Sequence, residues 1–369
     1  MIFFILVFIF YTLFISISII GSLINIDSSH TIKDFNSSND KLLTIIVPFR
    51  NEEIRINTLL SSLENQYNYK CIDQIIFVDD HSSDKSFEII KNWTFNKNFN
   101  FKILSLSSDF GKKKAIDLGI NNSNSEYIMT IDADVSFNYL FFSKLNDKLA
   151  SNSDLYLTSV IENNGLFISK ISSFVISIIS IGMANLKSPI LVNGAGLIFR
   201  KSIYDKLQPF SSNFHISSGD DMFLLKSFIK NGNSVNTISG NSLTILTEGP
   251  SSFKSFLLRS LRWSGKMRKS GILISNLLGL LIVFCNLSLF PLAFFVWRYS
   301  NNIALFLMLF KLTMDTSILL IASIRYKDYS QLKYLFLMFF IYPFVLALVT
   351  ILNIINYDSN WKGRKVNSA

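Results

Sequence analysis

Apolar positions are concentrated at the two ends of the chain, and the stretch between them alternates short apolar runs with amphipathic segments. Residues 1–26 carry no charge. This run is too long for the apolar core of a secretion signal and predicts a transmembrane anchor. Residues 27–41 are rich in Ser, Asn and Asp, which predicts a linker.

Residues 42–270 have the pattern of an α/β domain. Short apolar runs predict strands at Leu43–Val47, Ile75–Val78, Phe101–Leu104 and Tyr127–Ile131. Helical periodicity follows the first strand, with Ile56, Leu59, Leu60 and Leu63 on one face, and a second helical pattern follows Asp84. Strands that alternate with helices indicate a mostly parallel sheet of βαβ units. Their continuous apolar character predicts burial on both faces.

The second half of this domain is less regular. Leu166–Leu186 is apolar but contains Lys170 and several serines, which favours an interfacial or substrate-covering helix over a membrane span. Asp220–Lys230 predicts a short helix closed by Gly232.

The region 271–356 predicts two to three further membrane helices, and 357–369 forms a polar tail. Its three apolar stretches are Gly271–Trp297, Asn302–Ile324 and Tyr334–Ile355, each long enough to cross a bilayer. Basic residues precede the first, which predicts that the 42–270 domain is on the cytoplasmic side of an inner (plasma) membrane. The basic tail conflicts with three crossings, and Lys311 and Asp315 are spaced to pair within the middle stretch. The number of crossings stays open.

Charge and cysteine content exclude several classes. The net charge of +9 is best explained by attraction to a membrane surface. No basic run is interleaved with aromatics, so a nucleic-acid partner is not expected. Cys71 and Cys285 are too few for a disulfide framework or a thiolate metal site.

Acidic residues follow three of the predicted strands. Pro48 and the acidic pair Glu52 and Glu53 come after the first, Asp79 and Asp80 after the second, and the pair at 132 and 134 after the fourth. Open α/β sheets bind ligands just beyond the carboxyl ends of their strands. We therefore expect these carboxylates to converge on one crevice.

Asp132 and Asp134 are the sharpest pair. Their spacing lets both carboxylates approach one hard cation, Mg²⁺ or Mn²⁺, which also binds diphosphate oxygens. The alternative is that two Asp residues simply end a strand in a turn. Adjacent Asp79 and Asp80 suggest a base or ribose partner, because buried charge is costly alone; the alternative is a loop that caps the next helix, a role we expect of Asp84.

Three more sites carry candidate chemistry. Lys112 precedes a predicted helix and suits a diphosphate, whereas a solvated basic turn explains Lys113 and Lys114 about equally well. Asp220 and Asp221 open a helix, where a carboxylate serves either as a general base or as a cap. The last site consists of Arg259, Arg262 and Trp263. Its arginines could bind a diphosphate and its tryptophan could stack on a sugar. The alternative is a basic, aromatic anchor at the membrane interface.

Taken together, these motifs resemble those of the family 2 glycosyltransferases, which have the Rossmann-like, mostly parallel GT-A fold. The matching segments, in the family's order, are Val47-Pro48-Phe49-Arg50-Asn51-Glu52-Glu53, Val78-Asp79-Asp80-His81-Ser82-Ser83-Asp84, Gly111-Lys112, Asp132-Ala133-Asp134, Gly194-Ala195-Gly196, Gly219-Asp220-Asp221 and Arg259…Arg262-Trp263. Each motif is weak alone, and the ordered set across 42–270 is specific. His81, Asp117 and Asp220 depart from the family's usual residues.

The resemblance implies an inverting enzyme that uses a nucleotide-sugar donor, expected to be a UDP-sugar, with Asp221 as base. It implies nucleotide contacts from Pro48, Glu52, Asp79 or Asp80, Lys112 and Asp132, and metal at Asp134 with Asp132. The residues expected near the acceptor or diphosphate are Asp220, Arg259, Arg262 and Trp263.

The acceptor is the open point. The chain is similar to compact lipid glycosyltransferases that act on ceramide, diacylglycerol or carotenoid, so a lipid-like hydroxyl is expected. A processive polysaccharide synthase with a glycan acceptor is the alternative, and a catalytically idle membrane scaffold is the alternative from another class.

Overall fold

The computed structural model of the chain describes residues 1–24 and 43–355, apart from positions 65, 67, 68, 150, 215 and 217, and the backbone of 359–361 and 364–366. The predicted linker at 27–41 is therefore outside the described residues, as is half of the tail.

Nine strands form one sheet. They are β1 Leu43–Phe49, β2 Ile72–Asp79, β3 Phe101–Ser105, β4 Tyr127–Ile131, β5 Val135–Phe137, β6 Leu155–Glu162, β7 Gly196–Arg200, β8 Val235–Ile238 and β9 Thr244–Thr247. Their order is β3-β2-β1-β4-β7-β6-β9-β5, and β8 also pairs with β6. The first four strands pair in parallel, whereas β7 runs antiparallel to both neighbours. A two-stranded hairpin, β10 Ser359–Trp361 and β11 Arg364–Val366, lies near the end of the chain.

The helices alternate with these strands and then follow them. They are α1 Ile2–Leu23, α2 Ile56–Leu63, α3 Ser86–Thr94, α4 Lys112–Asn121, α5 Phe141–Leu149, α6 Phe167–Asn185, α7 Lys201–Leu207, α8 Asp220–Lys230, α9 Phe253–Ser270, α10 Leu273–Leu287, α11 Leu289–Tyr299, α12 Asn302–Tyr326 and α13 Leu335–Ile354. Short 3₁₀ turns lie at Asn241–Leu243 and Leu332–Tyr334.

The predicted burial of the strands on both faces of the sheet is confirmed with one correction. Alternate residues of β1 enter different apolar clusters: Ile45 packs with α2 on one face, and Ile46 packs with α4 on the other. The four predicted strands are present, and β4 has the predicted bounds. Burial on both faces was wrong for β3, whose residues are half-buried or exposed, because it forms the edge of the sheet.

The helix at 167–185 joins the sheet domain to the apolar helices. It contacts β6, α1 and α12 and is largely buried. The Asn185 side chain donates hydrogen bonds to the backbone oxygens of Gly21, at 2.9 Å, and Ile24, at 3.1 Å. Close helix contact at Gly21 and Gly182 tightens the same interface, since a Cβ on either would collide with backbone of the other helix.

Among the described residues, five helices are long and apolar enough to cross a membrane. They are Ile2–Leu23, Phe167–Asn185, Leu273–Tyr299, Asn302–Tyr326 and Leu332–Ile354. One N-terminal and three C-terminal helices match the sequence prediction, and they indicate a membrane protein. The first C-terminal stretch is broken into α10 and α11 at Ser288.

Candidate active site

The loops that follow β1 and β2 are tied to each other. The backbone N–H of Glu52 donates to the Ser86 hydroxyl at 2.7 Å, and that of Glu53 donates to Asp84 at 3.0 Å. Asp84 also accepts from the Ser86 N–H at 3.0 Å, so it bonds the first backbone N–H of α3, although the N-cap residue itself is Lys85. Pro48 lies in β1, beyond the last residue, Ile46, that pairs with β4. Its missing N–H is therefore not needed on that side.

Asp79 and Asp80 both lie at the carboxyl end of β2 and are buried. Asp79 accepts a hydrogen bond from the Ser82 N–H at 3.0 Å, and Asp80 accepts one from the Gly111 N–H at 3.1 Å. Burial raises the pKa of Asp80, and the Gly111 N–H and the His81 side chain offset only part of that effect. His81 has a φ of +60°, a conformation that Gly and Asn adopt readily. The departure at His81 thus falls where the backbone itself favours those smaller residues.

Asp132 and Asp134 follow β4 and are each held by a cation of the chain. Lys112 Nζ lies 2.7 Å from Asp132 Oδ1. Arg55 contacts Asp134 at 3.2 Å and Glu52 at 2.5 Å. No group of three or more His, Cys, Asp or Glu side chains is placed to hold a metal ion within the described part of the chain. Two carboxylates do fit a Mg²⁺-type ion that takes its remaining oxygen ligands from a diphosphate.

Lys112 connects the two acidic motifs. Its ammonium lies 3.1 Å from Asp220 Oδ2 in addition to its contact with Asp132. Burial alone would lower the pKa of Lys112, but Asp132 and Asp220 together hold it above its usual value. Burial would raise the pKa of Asp220, and Lys112 reverses this and holds it below its usual range. Both groups are therefore charged at neutral pH.

Asp221 is the more enclosed member of its pair. Only 3% of its surface is exposed, and α8 begins at Asp220, as predicted. The side chain accepts a hydrogen bond from the Met222 N–H at 2.7 Å and lies 2.5 Å from Lys266 Nζ. A Cβ at Gly194 would come within 3.3 Å of the Asp221 side chain, so glycine keeps this region open.

The two lysines after Lys112 differ. Lys113 is buried and donates to the Asn213 backbone oxygen at 2.8 Å and side-chain oxygen at 2.6 Å. Burial lowers the pKa of Lys113 to about 8. A solvated turn is therefore wrong for Lys113. Lys114 is partly exposed, lies 3.5 Å from Asp109 and rests over the Phe214 ring.

The basic and aromatic motif lies on α9. Arg259 is bonded to Glu162 and Ser169, and its guanidinium sits 5.0 Å from the centre of the Trp263 ring. Burial lowers the pKa of Arg262, as does the like charge of Arg259, while the carboxylates at 132, 134 and 220 oppose this. Arg262 is thus placed toward the acidic cluster, whereas Arg259 is held by the end of β6.

Three residues of this arrangement were not predicted from the sequence as site residues. They are Arg55, Glu162 and Lys266. Arg55 is three residues after Glu52, a spacing that does signal a pair on one helical turn. Glu162 ends a strand, as the other acidic residues do. Lys266 gives no such signal, because its partner is 45 residues away in the chain.

The structure brings most of the predicted residues together. Lys112 links Asp132 to Asp220, Arg55 links Glu52 to Asp134, and α9 reaches Asp221 through Lys266. Asp79 and Asp80 occupy the neighbouring loop. The arrangement is a partly buried cluster of carboxylates and cations at the carboxyl ends of strands, beside apolar helices.

Comparison with known proteins agrees with this geometry. Residues 44–206 match the family model of glycosyl transferase family 2, and residues 127–352 match that of glycosyl transferase family group 2. A mannosyltransferase from Pyrobaculum calidifontis, solved with GDP-Man and Mn²⁺, superposes with a TM-score of 0.55 at 14% identity, covering 78% of this chain and 87% of that one. The sheet and helices therefore form the predicted GT-A fold.

Curated relatives match over shorter segments. A poly-beta-1,6-N-acetyl-D-glucosamine synthase of Staphylococcus epidermidis is 32% identical over 133 residues, which is 34% of this chain and 31% of that one. A dolichyl-phosphate beta-glucosyltransferase of Dictyostelium discoideum is 26% identical over 123 residues, or 31% and 38% of the two chains. The chain thus spans about a third of the length of these relatives. With more than half of its residues matched by one family model, the chain belongs to the family 2 glycosyltransferases.

Proposed function

We propose that the protein is an inverting glycosyltransferase that moves a sugar from a nucleotide-sugar donor, expected to be a UDP-sugar, to a hydroxyl of a membrane lipid. The observation that carries this is the double contact of Lys112 with Asp132, at 2.7 Å, and Asp220, at 3.1 Å. One ammonium thereby joins the D-x-D pair to the acidic pair of α8. A donor diphosphate and an acceptor hydroxyl would meet between these two motifs.

The donor side uses the ends of β1, β2 and β4. Asp79 and Asp80, with Glu52 and Pro48, lie where a nucleoside would be bound beyond the sheet edge. Lys112 supplies a fixed positive charge for the diphosphate. Arg262 adds a second cation from α9, since the acidic cluster already affects its pKa.

Asp132 and Asp134 would hold the divalent cation. A bound Mg²⁺ or Mn²⁺ would stabilise the negative charge that develops on the leaving nucleoside diphosphate. The protein's part is to present the two carboxylates from one turn after β4 and to orient them through Lys112 and Arg55.

Asp221 is proposed as the general base. An acceptor hydroxyl is a poor nucleophile at neutral pH, so a positioned carboxylate must take its proton as the new bond forms. Asp221 lies in the first turn of α8, where the helix dipole attracts negative charge. Lys266 holds its Oδ2 and so fixes the carboxylate. Asp220 is the alternative base, although its contact with Lys112 favours a role on the donor side.

The acceptor is proposed to arrive from the membrane. Helix α9 carries Trp263 beside Arg259 and is followed directly by the apolar helices α10 to α13. A lipid hydroxyl at the bilayer surface would meet the carboxylate cluster across this helix, and an aromatic ring there can stack on a sugar.

A donor screen tests this function. Purified protein would be incubated with UDP- and GDP-sugars, Mg²⁺ or Mn²⁺ and total membrane lipid. The masses of the products would be determined by mass spectrometry. We expect a lipid whose mass rises by one sugar residue. Donor turnover with no glycosylated lipid would rule out a lipid as the acceptor. The absence of any donor turnover would favour a membrane scaffold.

A processive polysaccharide synthase is the second candidate, favoured by the similarity to the Staphylococcus epidermidis synthase. The same mass spectra separate the two. A synthase gives a ladder of products that differ by one sugar, whereas single transfer gives one product whose mass does not grow with time.

A further inference from the structure

A cavity lies among the apolar helices. Its walls come from α1, α6, α10, α12 and α13, and its volume is about 130 Å³. An apolar protein cavity of roughly 150 Å³ accepts benzene, so this one has room for a comparable part of a ligand. Lining residues such as Val175, Ile176 and Ile282 keep partial exposure. The cavity is therefore not sealed, and a longer ligand can extend out of it.

One wall of the cavity carries a buried amide whose bonding is incomplete. Asn286, on α10, is 2% exposed, and its Nδ2 donates to the Ile282 backbone oxygen at 2.8 Å. Its Oδ1 has no hydrogen-bond partner within the described residues. Leaving a buried acceptor unsatisfied costs about 1–3 kcal/mol. A hydrogen-bond donor supplied by a bound ligand would satisfy this amide oxygen.

An ion pair lines the same cavity. Lys311 is 2% exposed, and its Nζ lies 2.5 Å from Asp315, which also accepts a hydrogen bond from the Tyr11 hydroxyl at 2.6 Å. An ammonium has three N–H donors, and the carboxylate receives one of them. Ionisable side chains inside apolar helices are rare and expensive, and they mark functional sites. The transfer reaction makes no use of this pair.

We propose that this cavity binds the hydroxyl end of a long-chain aliphatic alcohol of the membrane. A hydroxyl can donate to the Asn286 oxygen and accept from the Lys311 ammonium. The remaining lining is mostly apolar and suits a hydrocarbon chain. A fatty carboxylate has no proton to donate to Asn286, and an alkane satisfies neither group.

The alcohol bound here is distinct from the hydroxyl that receives the sugar. Helix α6 separates the two places: Ser169 and Ser173 bond Glu162 on one face, while Ser172 and Val175 line the cavity on another. The site is thus additional to the proposed acceptor site, and binding to it does not depend on the transfer reaction.

Photoaffinity labelling of the full chain in nanodiscs tests the proposal. The probe is hexadecanol that carries a diazirine, and cross-linked peptides are mapped by mass spectrometry. We expect labelling of α10 and α12 that excess hexadecanol displaces. Asn286→Leu should weaken binding about five- to tenfold, since it removes one buried hydrogen bond. Val175→Trp should remove the labelling by filling the cavity, whereas Leu280→Trp, at a position 52% exposed on α10, should leave it unchanged.

Two results would overturn the proposal. Labelling of the wild type by a diazirine hexadecane or palmitate at equal efficiency, unaffected by Asn286→Leu, would show that no hydroxyl is recognised. Labelling that survives Val175→Trp, or that never reaches α10 and α12, would place the alcohol elsewhere. Because Val175 is only half-buried, its replacement should leave the chain folded, and Asn286→Leu is close in volume to the native residue.

Discussion

At the scale of single residues, the site is organised by cations that each hold carboxylates from separate parts of the chain. Lys112 joins Asp132 and Asp220, and Lys266 holds Asp221. Opposite charges at these separations attract each other. The acidic residues can thus be gathered at one place without the repulsion that three neighbouring carboxylates would otherwise create.

Asp134→Ala is expected to abolish sugar transfer and to leave the protein folded. The residue is proposed to hold the cation that acts on the leaving diphosphate, and its loss does not open a core cavity. Transfer rates and thermal unfolding would be measured together, with Asp205→Ala, in a surface pair with Lys201, as the control. Transfer that persists in this variant, or in excess chelator, would contradict the metal site.

Asp80→Asn should weaken donor binding without lowering the stability of the fold. Burial raises the pKa of Asp80, so the folded state binds its proton more tightly than the unfolded state does. Its stability contribution therefore falls as pH rises through that pKa, and the ionised form is unfavourable at neutral pH. An amide of the same shape removes this penalty. We expect an unchanged or higher unfolding temperature at pH 7 and weaker nucleotide binding by calorimetry; a clear fall in unfolding temperature would contradict this reading.

The sequence predicted the acidic residues but not most of their partners. Asp132 and Asp220 were recognisable from the strand or helix that each adjoins. Their common contact with Lys112 depends on how distant segments fold together, and no local pattern encodes it. Arg55 is the exception, because it follows Glu52 by three residues. Long-range ion pairs such as that of Lys266 and Asp221 could be found only in the structure.

At the scale of elements, the packing of α1 on α6 links the membrane region to the sheet. Gly21 and Gly182 let the two helix backbones approach closely, and Asn185 bonds the last turn of α1. Small residues at helix contacts serve this purpose in membrane proteins. Helix α6 also contacts β6, whose last residue, Glu162, holds Arg259.

Gly182→Ala should destabilise the protein by about 1–3 kcal/mol, as overpacking does elsewhere. The added methyl group would collide with the backbone oxygen of Ser18, and two packed helices would have to separate. Gly279→Ala is the matched control, since the nearest atom to its new methyl group is a flexible Met267 methyl at 3.7 Å. Thermal unfolding in detergent would compare them; equal unfolding temperatures for the two variants would show that the close helix contact is wrong.

The first four strands of the sheet were predicted, whereas β5 to β9 were not. The strand Tyr127–Ile131 and the helix at 56–63 have strong local signals. Strands such as β5 and β9 have three or four residues, too few for a periodic pattern to emerge, and they form because neighbouring strands supply their hydrogen bonds. The break at Ser288 between α10 and α11 was not predicted either, although Asn286, Ser288 and Pro291 interrupt the apolar stretch there.

At the scale of the whole molecule, the basic residues before the C-terminal apolar helices favour one orientation in the membrane, which the basic tail opposes if all three helices cross. Helix α9 carries basic residues in its last turn, Arg268 and Lys269, immediately before the apolar helices. Basic flanks stay on the cytoplasmic side, and nucleotide sugars are proposed to be supplied there. We therefore expect the sheet domain to face the cytoplasm of the inner membrane.

A reporter at Ser37 tests that orientation. Ser37 belongs to the predicted linker, outside the described residues, and precedes the sheet domain. A cysteine introduced there should react with a membrane-impermeant reagent only after the cells are opened. Labelling in intact cells would place the domain on the outside and contradict the supply of cytoplasmic donors.

Sugar transfer by the carboxylate cluster, with Asp221 as its base, is tested by the transfer rate of Asp221→Asn beside that of Asp220→Asn. We predict that Asp221→Asn lowers turnover by on the order of 10²-fold or more, while donor affinity, measured separately by calorimetry, is nearly unchanged. Asp220→Asn should weaken donor binding through Lys112 and keep more of the turnover. An inactive Asp220→Asn with an active Asp221→Asn would contradict the assignment of the base, and loss of donor binding in both would assign the acidic pair to the nucleotide site.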